Sequence, residues 1–168
     1  VEHLLGFQTD GSLRIGGGTS VWRNTDRLFV DTAAWYHIVV AFDTTQSTAN
    51  DRIKIYVNGV QETSFSTTNN PSQNGVLGLN FEKQVIGYNS IDSNSGFTGY
   101  MCEIVIQDGV ASAATEFGEF DSTTGIWIPK DASEATMGTN GTYLKFENAG
   151  SMGAATAGNN FTVQNINQ

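Results

Sequence analysis

The stretch EFGEFDSTTGIW, residues 116–127, places three carboxylates and three aromatic side chains within twelve positions. Glu119 and Asp121 are two positions apart, and on a β-strand such positions share a face at a separation of about 6.6–6.8 Å. Retaining glycosidases hold two carboxyl groups about 5–5.5 Å apart, so this spacing suggests acid and nucleophile chemistry. A glycoside hydrolase that uses Glu119 and Asp121 is therefore one hypothesis for this chain.

The same stretch also has a structural interpretation. Phe117 and Phe120 are three positions apart, which suits a helical turn better than a strand, and Glu116 and Glu119 would then share an exposed side. In this interpretation the two phenylalanines are buried anchors at the edge of the fold, and the carboxylates are solvated. We favour this interpretation and predict no catalytic residue.

Four aspartates elsewhere are candidate calcium ligands, because calcium binds six to eight oxygen atoms and usually two or more carboxylates. These residues, which lie near predicted loops, are Asp43, Asp51, Asp92 and Asp108. They lack the Asp-x-Asp-x-Asp spacing of a calcium loop, and aspartates in turns commonly bond their own backbone. We therefore predict no metal site and no cofactor, and keep calcium as the alternative.

Sugar binding is a further hypothesis, since an exposed aromatic ring can stack on a pyranose while amide and carboxylate groups bind its hydroxyls. The loop residues that fit this description are Trp22, Tyr88, Asn89 and Asp92. The competing interpretation is that Trp22 and Tyr88 cover the edges of the hydrophobic core. We expect Trp127 to be structural.

Alternating apolar residues predict an all-β chain. Ile53, Ile55 and Val57 would face one way, and Asn58-Gly59 after them is a strong hairpin signal that predicts a return strand over 60–65. The other clear strands are expected at 35–43, as a central strand, and at 99–109, with Tyr100 and Cys102 on its core face. One short helical turn near 112–117, capped by Ser112, is the only helix that we expect. Many short strands with turns between them predict an antiparallel β-sandwich.

Composition limits the classes of partner. Gly, Ser, Thr and Asn make up 66 of the 168 residues, which is typical of turn-rich β-proteins. The net charge of −9 repels phosphate groups, so we expect no nucleic-acid partner and no membrane insertion. The single cysteine, Cys102, excludes an intramolecular disulfide, and no apolar run reaches the roughly 18 residues of a transmembrane helix.

Several stretches together resemble the concanavalin A-like, laminin-G-type jelly roll. The shared pattern is WYHIVV-x-x-D, a polar loop, a strand ending in Tyr-Val-Asn-Gly, a Gly-Tyr strand, and then Phe-Gly-Glu-Phe-Asp. The matching stretches are 31–61, 97–130, 139–148 and 159–166. The form that contains FGEFD and IWIPK resembles domains in structural proteins of marine bacteriophages and environmental viruses.

The resemblance implies a two-sheet antiparallel jelly-roll sandwich over 1–168, without catalysis, used as a lectin-like module on fibres, spikes or capsid surfaces. We expect one domain, and the start at Val1 rather than Met suggests a fragment of a longer chain. The expected partners are other virion proteins, copies of this chain and host-surface glycans, at the virion surface or outside the cell. The alternatives are a secreted or surface carbohydrate-binding module of a cellular organism, and the glycoside hydrolase.

Overall fold

The computed structural model describes residues 3–17, 20–77, 85–87 and 96–162. The chain divides into two compact units, which we call unit 1 (Val1–Thr98) and unit 2 (Gly99–Gln168). Every strand pair in the described residues is antiparallel. Almost all of the regular structure is therefore β, as the alternating sequence pattern predicts.

Unit 1 contains two sheets in its described part. The first has the strand order β1-β2-β3-β7, and the second has the order β4-β5-β6. The strands of the first sheet are β1 (His3–Phe7), β2 (Ser12–Gly17), β3 (Ser20–Leu28) and β7 (Phe65–Thr68). The strands of the second sheet are β4 (Ile38–Phe42), β5 (Ile53–Val57) and β6 (Val60–Gln61).

The β5–β6 hairpin follows directly from local sequence. Asn58 and Gly59 both have positive φ, 49° and 77°, as a type I′ turn requires, and Val57 pairs with Val60 across it. Ile53, Ile55 and Val57 are all buried, whereas the two residues between them are half-buried. The sequence prediction of a one-sided strand that ends in an Asn-Gly turn is confirmed.

The core of unit 1 contains side chains from both of its sheets. Leu13 and Ile15 on β2 form one buried cluster with the apolar side of β5. Alternate residues of β4 and its flank pack against this cluster; they are Tyr36, Ile38, Val40 and Phe42. Because the cluster joins the two sheets, each sheet buries one face against the other.

Arg23 lies inside unit 1 with only 1% of its surface exposed. Its Nη1 donates to the carbonyl oxygens of Trp22 and Asn69, and its Nη2 donates to the side-chain oxygen of Asn70. The guanidinium also lies 5.5 Å from the centre of the Phe65 ring. Burial lowers the pKa of Arg23 below its ordinary value. These contacts join β3 to the segment after β7, which sequence periodicity did not indicate.

Two predictions for unit 1 need correction. The return strand expected over 60–65 ends at Gln61, and Phe65 begins β7, which pairs with β3 in the other sheet. Among the described residues β4 pairs with β5, and the prediction that 35–43 is a central strand stays a prediction. In addition, Ala49–Arg52 forms a 3-10 helix inside the predicted polar loop, so the helical turn expected near 112–117 is not the only one.

Unit 2 contains two small sheets in its described part. One has the order β12-β11-β8, and the other is the hairpin of β9 and β10. The strands are β8 (Ile104–Ile106), β9 (Gly118–Phe120), β10 (Trp127–Pro129), β11 (Thr142–Leu144) and β12 (Ala157–Gly158). A 3-10 helix at Ala114–Glu116 lies within the predicted helical turn, but its N-cap is Ala113 without a side-chain cap, so Ser112 does not cap it.

The strand predicted over 99–109 is mostly wrong. Only Ile104–Ile106 is a strand, Tyr100 is 87% exposed and Cys102 is exposed, so neither lies on a core face. Glu103 has a φ of 55°, a left-handed conformation that interrupts a β-strand. The side chain of Glu103 accepts a hydrogen bond from the hydroxyl of Tyr143. The residue at which the predicted strand breaks is thus in contact with a buried residue forty positions along the chain.

The fold class is therefore mostly β, with several antiparallel sheets. This agrees with a concanavalin A-like sandwich, while the two-sheet jelly-roll arrangement and the single domain over 1–168 stay predictions. Among the residues that the structure describes, the 3-10 helices are three and four residues long, and no helix could cross a membrane.

Truncation of the β5 face will test the core of unit 1. We expect Ile55→Ala to lower the free energy of unfolding by about 2–5 kcal/mol, because it removes a fully buried side chain from the cluster. Val60→Ala, at an exposed position of the same hairpin, should change it by less than about 0.5 kcal/mol. Urea denaturation followed by circular dichroism measures both variants, and equal losses would contradict the proposed core.

Candidate functional site

The acidic stretch forms a β-hairpin rather than a helical turn. Strands β9 and β10 pair antiparallel, with Phe120 opposite Trp127 and Glu119 opposite Ile128. Gly118 permits this pairing, because a Cβ at that position would lie 2.5 Å from the indole ring of Trp127. The expectation that Phe117 and Phe120 share a helical turn is therefore wrong, although a 3-10 helix ends just before them.

The carboxylate of Asp121 holds the loop of this hairpin closed. Its Oδ1 accepts hydrogen bonds from the backbone of Thr123 at 3.0 Å and from the backbone and hydroxyl of Thr124 at 2.6 and 2.7 Å. The bonds from Thr124 contribute most to lowering the pKa of Asp121 below its ordinary value. A general acid needs a raised pKa, so Asp121 has the opposite environment from a glycosidase acid.

Glu119 lies on the other face of the hairpin from Phe120 and Trp127, since successive side chains of a strand point to opposite faces. Its Oε2 is 3.7 Å from the Nζ of Lys130, and both side chains are largely exposed to solvent. The geometry thus gives the two carboxylates separate contacts: Asp121 bonds its own loop and Glu119 pairs with a lysine.

The aromatic side chains of the hairpin form a partly open surface. Phe120 is 54% exposed, and its ring packs edge-to-face against Trp127 with 5.0 Å between the ring centres. Phe117, in contrast, packs against the buried cluster of Ala132, Met137 and Tyr143. One of the two predicted anchors thus packs against the core while partly buried, and the other presents an aromatic ring to solvent.

The calcium candidates that the structure describes are engaged in separate local contacts. Asp43 accepts bonds from Thr45 and Gln46, which lower its pKa, and Asp51 lies 3.9 Å from Lys54. The Oδ2 of Asp108 accepts bonds from the backbone and side chain of Asn140. Asp92 lies outside the described residues. Across the described ranges, no group of three or more His, Cys, Asp or Glu side chains could hold a metal ion.

Of the four residues predicted to bind sugar, the structure describes only Trp22. This side chain is half-buried on β3 and packs against the core cluster of unit 1, with its ring 5.9 Å from that of Phe42. Tyr88, Asn89 and Asp92 lie outside the described residues. Sugar binding by these four residues therefore stays a prediction.

Sequence reasoning missed a cluster of ionisable side chains in unit 2. The hydroxyl of the fully buried Tyr143 donates to Glu103, and burial followed by this bond raises the pKa of Tyr143 above its ordinary value. Just after the end of β11, Lys145 donates to Asp131 at 2.6 Å, and its Nζ lies 3.7 Å from Glu147. The local signal was the alternation in TYLKFEN, which would place Tyr143, Lys145 and Glu147 on one side of a continuous strand.

The cluster has the character of a structural anchor. Its ammonium group lies 5.5 Å from the centre of the Tyr143 ring and beside the Asp131 carboxylate, which also accepts bonds from Ser133. The bond to Asp131 raises the pKa of Lys145, and the pKa of Asp131 is held well below its usual range. Both groups thus stay charged across the neutral range, which favours a stable ion pair over proton transfer.

Removal of the Tyr143 hydroxyl will test this anchor. We expect Tyr143→Phe to destabilise the protein by about 1–3 kcal/mol, because Glu103 loses its buried donor. Tyr100→Phe is the matched control, since that ring is exposed in the same unit, and it should change the free energy of unfolding by less than about 0.5 kcal/mol. Chemical denaturation measures both; a neutral Tyr143→Phe would contradict the anchor.

The Lys145–Asp131 pair makes the free energy of unfolding depend on pH in the acidic range. Because the pKa of Asp131 is lower in the folded chain, its contribution is present above the unfolded value of about 3.9 and is lost as the pH falls below it. We expect Asp131→Asn to flatten the loss of stability between about pH 5 and pH 2. Urea denaturation midpoints across that pH range measure this effect, and Glu134→Gln, at an exposed position, is the control. If the midpoint of Asp131→Asn falls with pH as steeply as that of the wild type, Asp131 does not contribute to stability in this way.

Comparison with known families connects most of the chain to a recognised group of proteins. Residues 2–115 match the laminin-G-type family of the concanavalin A-like lectin/glucanases superfamily, a span that ends before the β9–β10 hairpin. No curated protein and no solved structure matches the chain. The superfamily takes its name from both lectins and glucanases, so the match alone does not separate sugar binding from hydrolysis. Because the match covers more than half of the sequence, the chain belongs to the concanavalin A-like lectin/glucanase superfamily.

Proposed function

We propose that this protein is a non-enzymatic carbohydrate-binding domain, and that the exposed ring of Phe120 on the β9–β10 hairpin contacts the sugar. The observation that carries the proposal is the open aromatic surface formed by Phe120 and Trp127 in a chain of a lectin and glucanase superfamily. A sugar ring has an apolar face, and burial of that face against an aromatic ring is favourable.

The arrangement of the hairpin supports a binding surface that is ready before the sugar arrives. The edge-to-face contact with Trp127 fixes the Phe120 ring, and the hydrogen bonds of Asp121 fix the loop that joins the two strands. A surface that is already ordered pays less conformational entropy when it binds. The loop between the two strands is polar, and its residues Thr123 and Thr124 are exposed.

The contacts of the hairpin carboxylates support a role without catalysis. Asp121 accepts three hydrogen bonds from its own loop, and its lowered pKa does not suit a general acid. Glu119 pairs with Lys130 on the face opposite the aromatic rings. A sugar stacked on Phe120 would therefore lie on the side of the hairpin that Glu119 does not face.

We further propose that the domain lies on a virion surface, as part of a fibre, a spike or a capsid decoration, where it contacts other virion proteins or copies of itself. The resemblance of FGEFD and IWIPK to stretches of viral structural proteins supports this location. Repeated copies on one particle would multiply a weak affinity for host-surface glycans through avidity. The proposal requires no calcium, no nucleic acid and no membrane insertion.

Replacement of Phe120 will test the binding surface. On a glycan array, we expect Phe120→Ala to weaken binding at least tenfold, which corresponds to about 1.4 kcal/mol, because the stacking surface is lost. Ile128→Ala is the matched control: it removes a partly exposed apolar residue from the opposite face of the same hairpin and should leave binding unchanged. Thermal denaturation of both variants checks that folding is retained.

Three outcomes would contradict the proposal. If neither the isolated domain nor a multivalent display of it binds any glycan at millimolar concentration, the role is scaffolding instead. If Tyr88→Ala or Asp92→Ala abolishes binding while Phe120→Ala does not, the surface lies in the loop that the sequence predicted. If the protein cleaves polysaccharides and Glu119→Gln stops the cleavage, it is a glycoside hydrolase.

A further inference from the structure

The chain contains three Asn-Gly dipeptides, at 58–59, 74–75 and 140–141, and all three lie in described parts of the structure. In such a dipeptide the backbone nitrogen of glycine can attack the side-chain amide carbon of asparagine. A C–N bond forms, ammonia leaves and a cyclic succinimide results, which water then opens to aspartate or isoaspartate. The net reaction consumes one water and releases one ammonia, and it needs no enzyme and no redox partner.

The environment of Asn58 opposes this reaction. Its side-chain oxygen accepts a 2.8 Å hydrogen bond from the backbone of His37, and its own backbone nitrogen donates to the carbonyl of His37 at 2.8 Å. Both bonds tie Asn58 to the chain just before β4, within the turn that joins β5 and β6. The side chain must break the first bond before its carbon can approach the nitrogen of Gly59.

Asn140 is held in a different way with the same result. Its side-chain nitrogen donates to the carboxylate of Asp108 at 2.8 Å, and its backbone nitrogen donates to the same oxygen at 3.3 Å. Gly141 is buried, and a Cβ placed there would lie 1.9 Å from the carbonyl oxygen of Met137. The tight packing leaves little room for a five-membered ring, and the Asp108 carboxylate disfavours the negative charge that develops during attack.

Asn74 differs from both. Its φ of 55° is close to the 49° of Asn58, so the two share a backbone conformation, but Asn74 is exposed and its side chain bonds to no residue that the structure describes. Its backbone nitrogen donates to Thr44, and the nitrogen of Gly75 donates to Ser72 at 3.0 Å within an exposed turn. Only that turn bond must open for the attacking nitrogen to become available.

From this comparison we propose that Asn74 is a spontaneous modification site, the Asn-Gly position at which the folded protein selectively converts to aspartate and isoaspartate. The conversion adds a carboxylate to a chain whose net charge is already −9. Isoaspartate also adds a methylene group to the main chain, which would disturb the backbone contact between Asn74 and Thr44.

The wild-type protein is sufficient for the test. Folded protein is incubated at mildly alkaline pH, digested and analysed by mass spectrometry for conversion at each of the three dipeptides. We expect conversion at Asn74 to be at least about tenfold faster than at Asn58 and Asn140. A tenfold ratio corresponds to about 1.4 kcal/mol, which is the net free energy of one or two hydrogen bonds. In concentrated denaturant the three rates should converge, because the dipeptides are identical.

Two variants sharpen the result. Asn74→Gln should remove the dominant product, and Asp108→Ala should accelerate conversion at Asn140 because it releases that side chain. Conversion at Asn58 or Asn140 as fast as at Asn74 in the folded wild type would overturn the proposal. So would a preference for Asn74 that persists in denaturant, since the cause would then be sequence rather than structure.

Discussion

Burial of the apolar face of β5 is the constraint on which unit 1 depends. Ile53, Ile55 and Val57 contact Leu13 and Ile15 of the other sheet in one cluster, so each sheet covers a face that would otherwise meet water. The hairpin turn after β5 fixes the register of that face, because a shift by one residue would turn all three side chains outward. The remaining strands of the unit extend the two sheets that this contact holds together.

Features of the fold that depend on neighbouring residues could be predicted from sequence, whereas features that depend on distant contacts could not. The turn at Asn58-Gly59 needs only residues that accept positive φ, and the sequence shows them directly. The break at Glu103 could not be predicted in this way. The hydroxyl partner of Glu103 is Tyr143, forty positions along the chain, and the alternating pattern of residues 99–109 gave no sign of that contact.

In the candidate site, too, the spacing of residues along the chain did not predict the contacts that form. Three-residue spacing of the phenylalanines favoured a helical turn, but the pairing of Phe120 with Trp127 across a hairpin prevailed. The informative residue was Gly118, because only a residue without a side chain fits beneath the Trp127 ring. Exposure of Phe120 could not be predicted either, since a phenylalanine in a sequence pattern is more often buried than open to solvent.

The buried Arg23 has a consequence for the media in which the protein can work. Its guanidinium is held by uncharged oxygens and an aromatic ring, and no described carboxylate pairs with it, so dissolved ions have no ion pair among the described residues to screen there. Exposed pairs such as Lys130–Glu119 weaken in concentrated electrolyte, because the Debye length shrinks to about 3 Å at 1 M. The contacts of Arg23 that link β3 to the segment after β7 would therefore persist at salt concentrations that weaken the surface ion pairs.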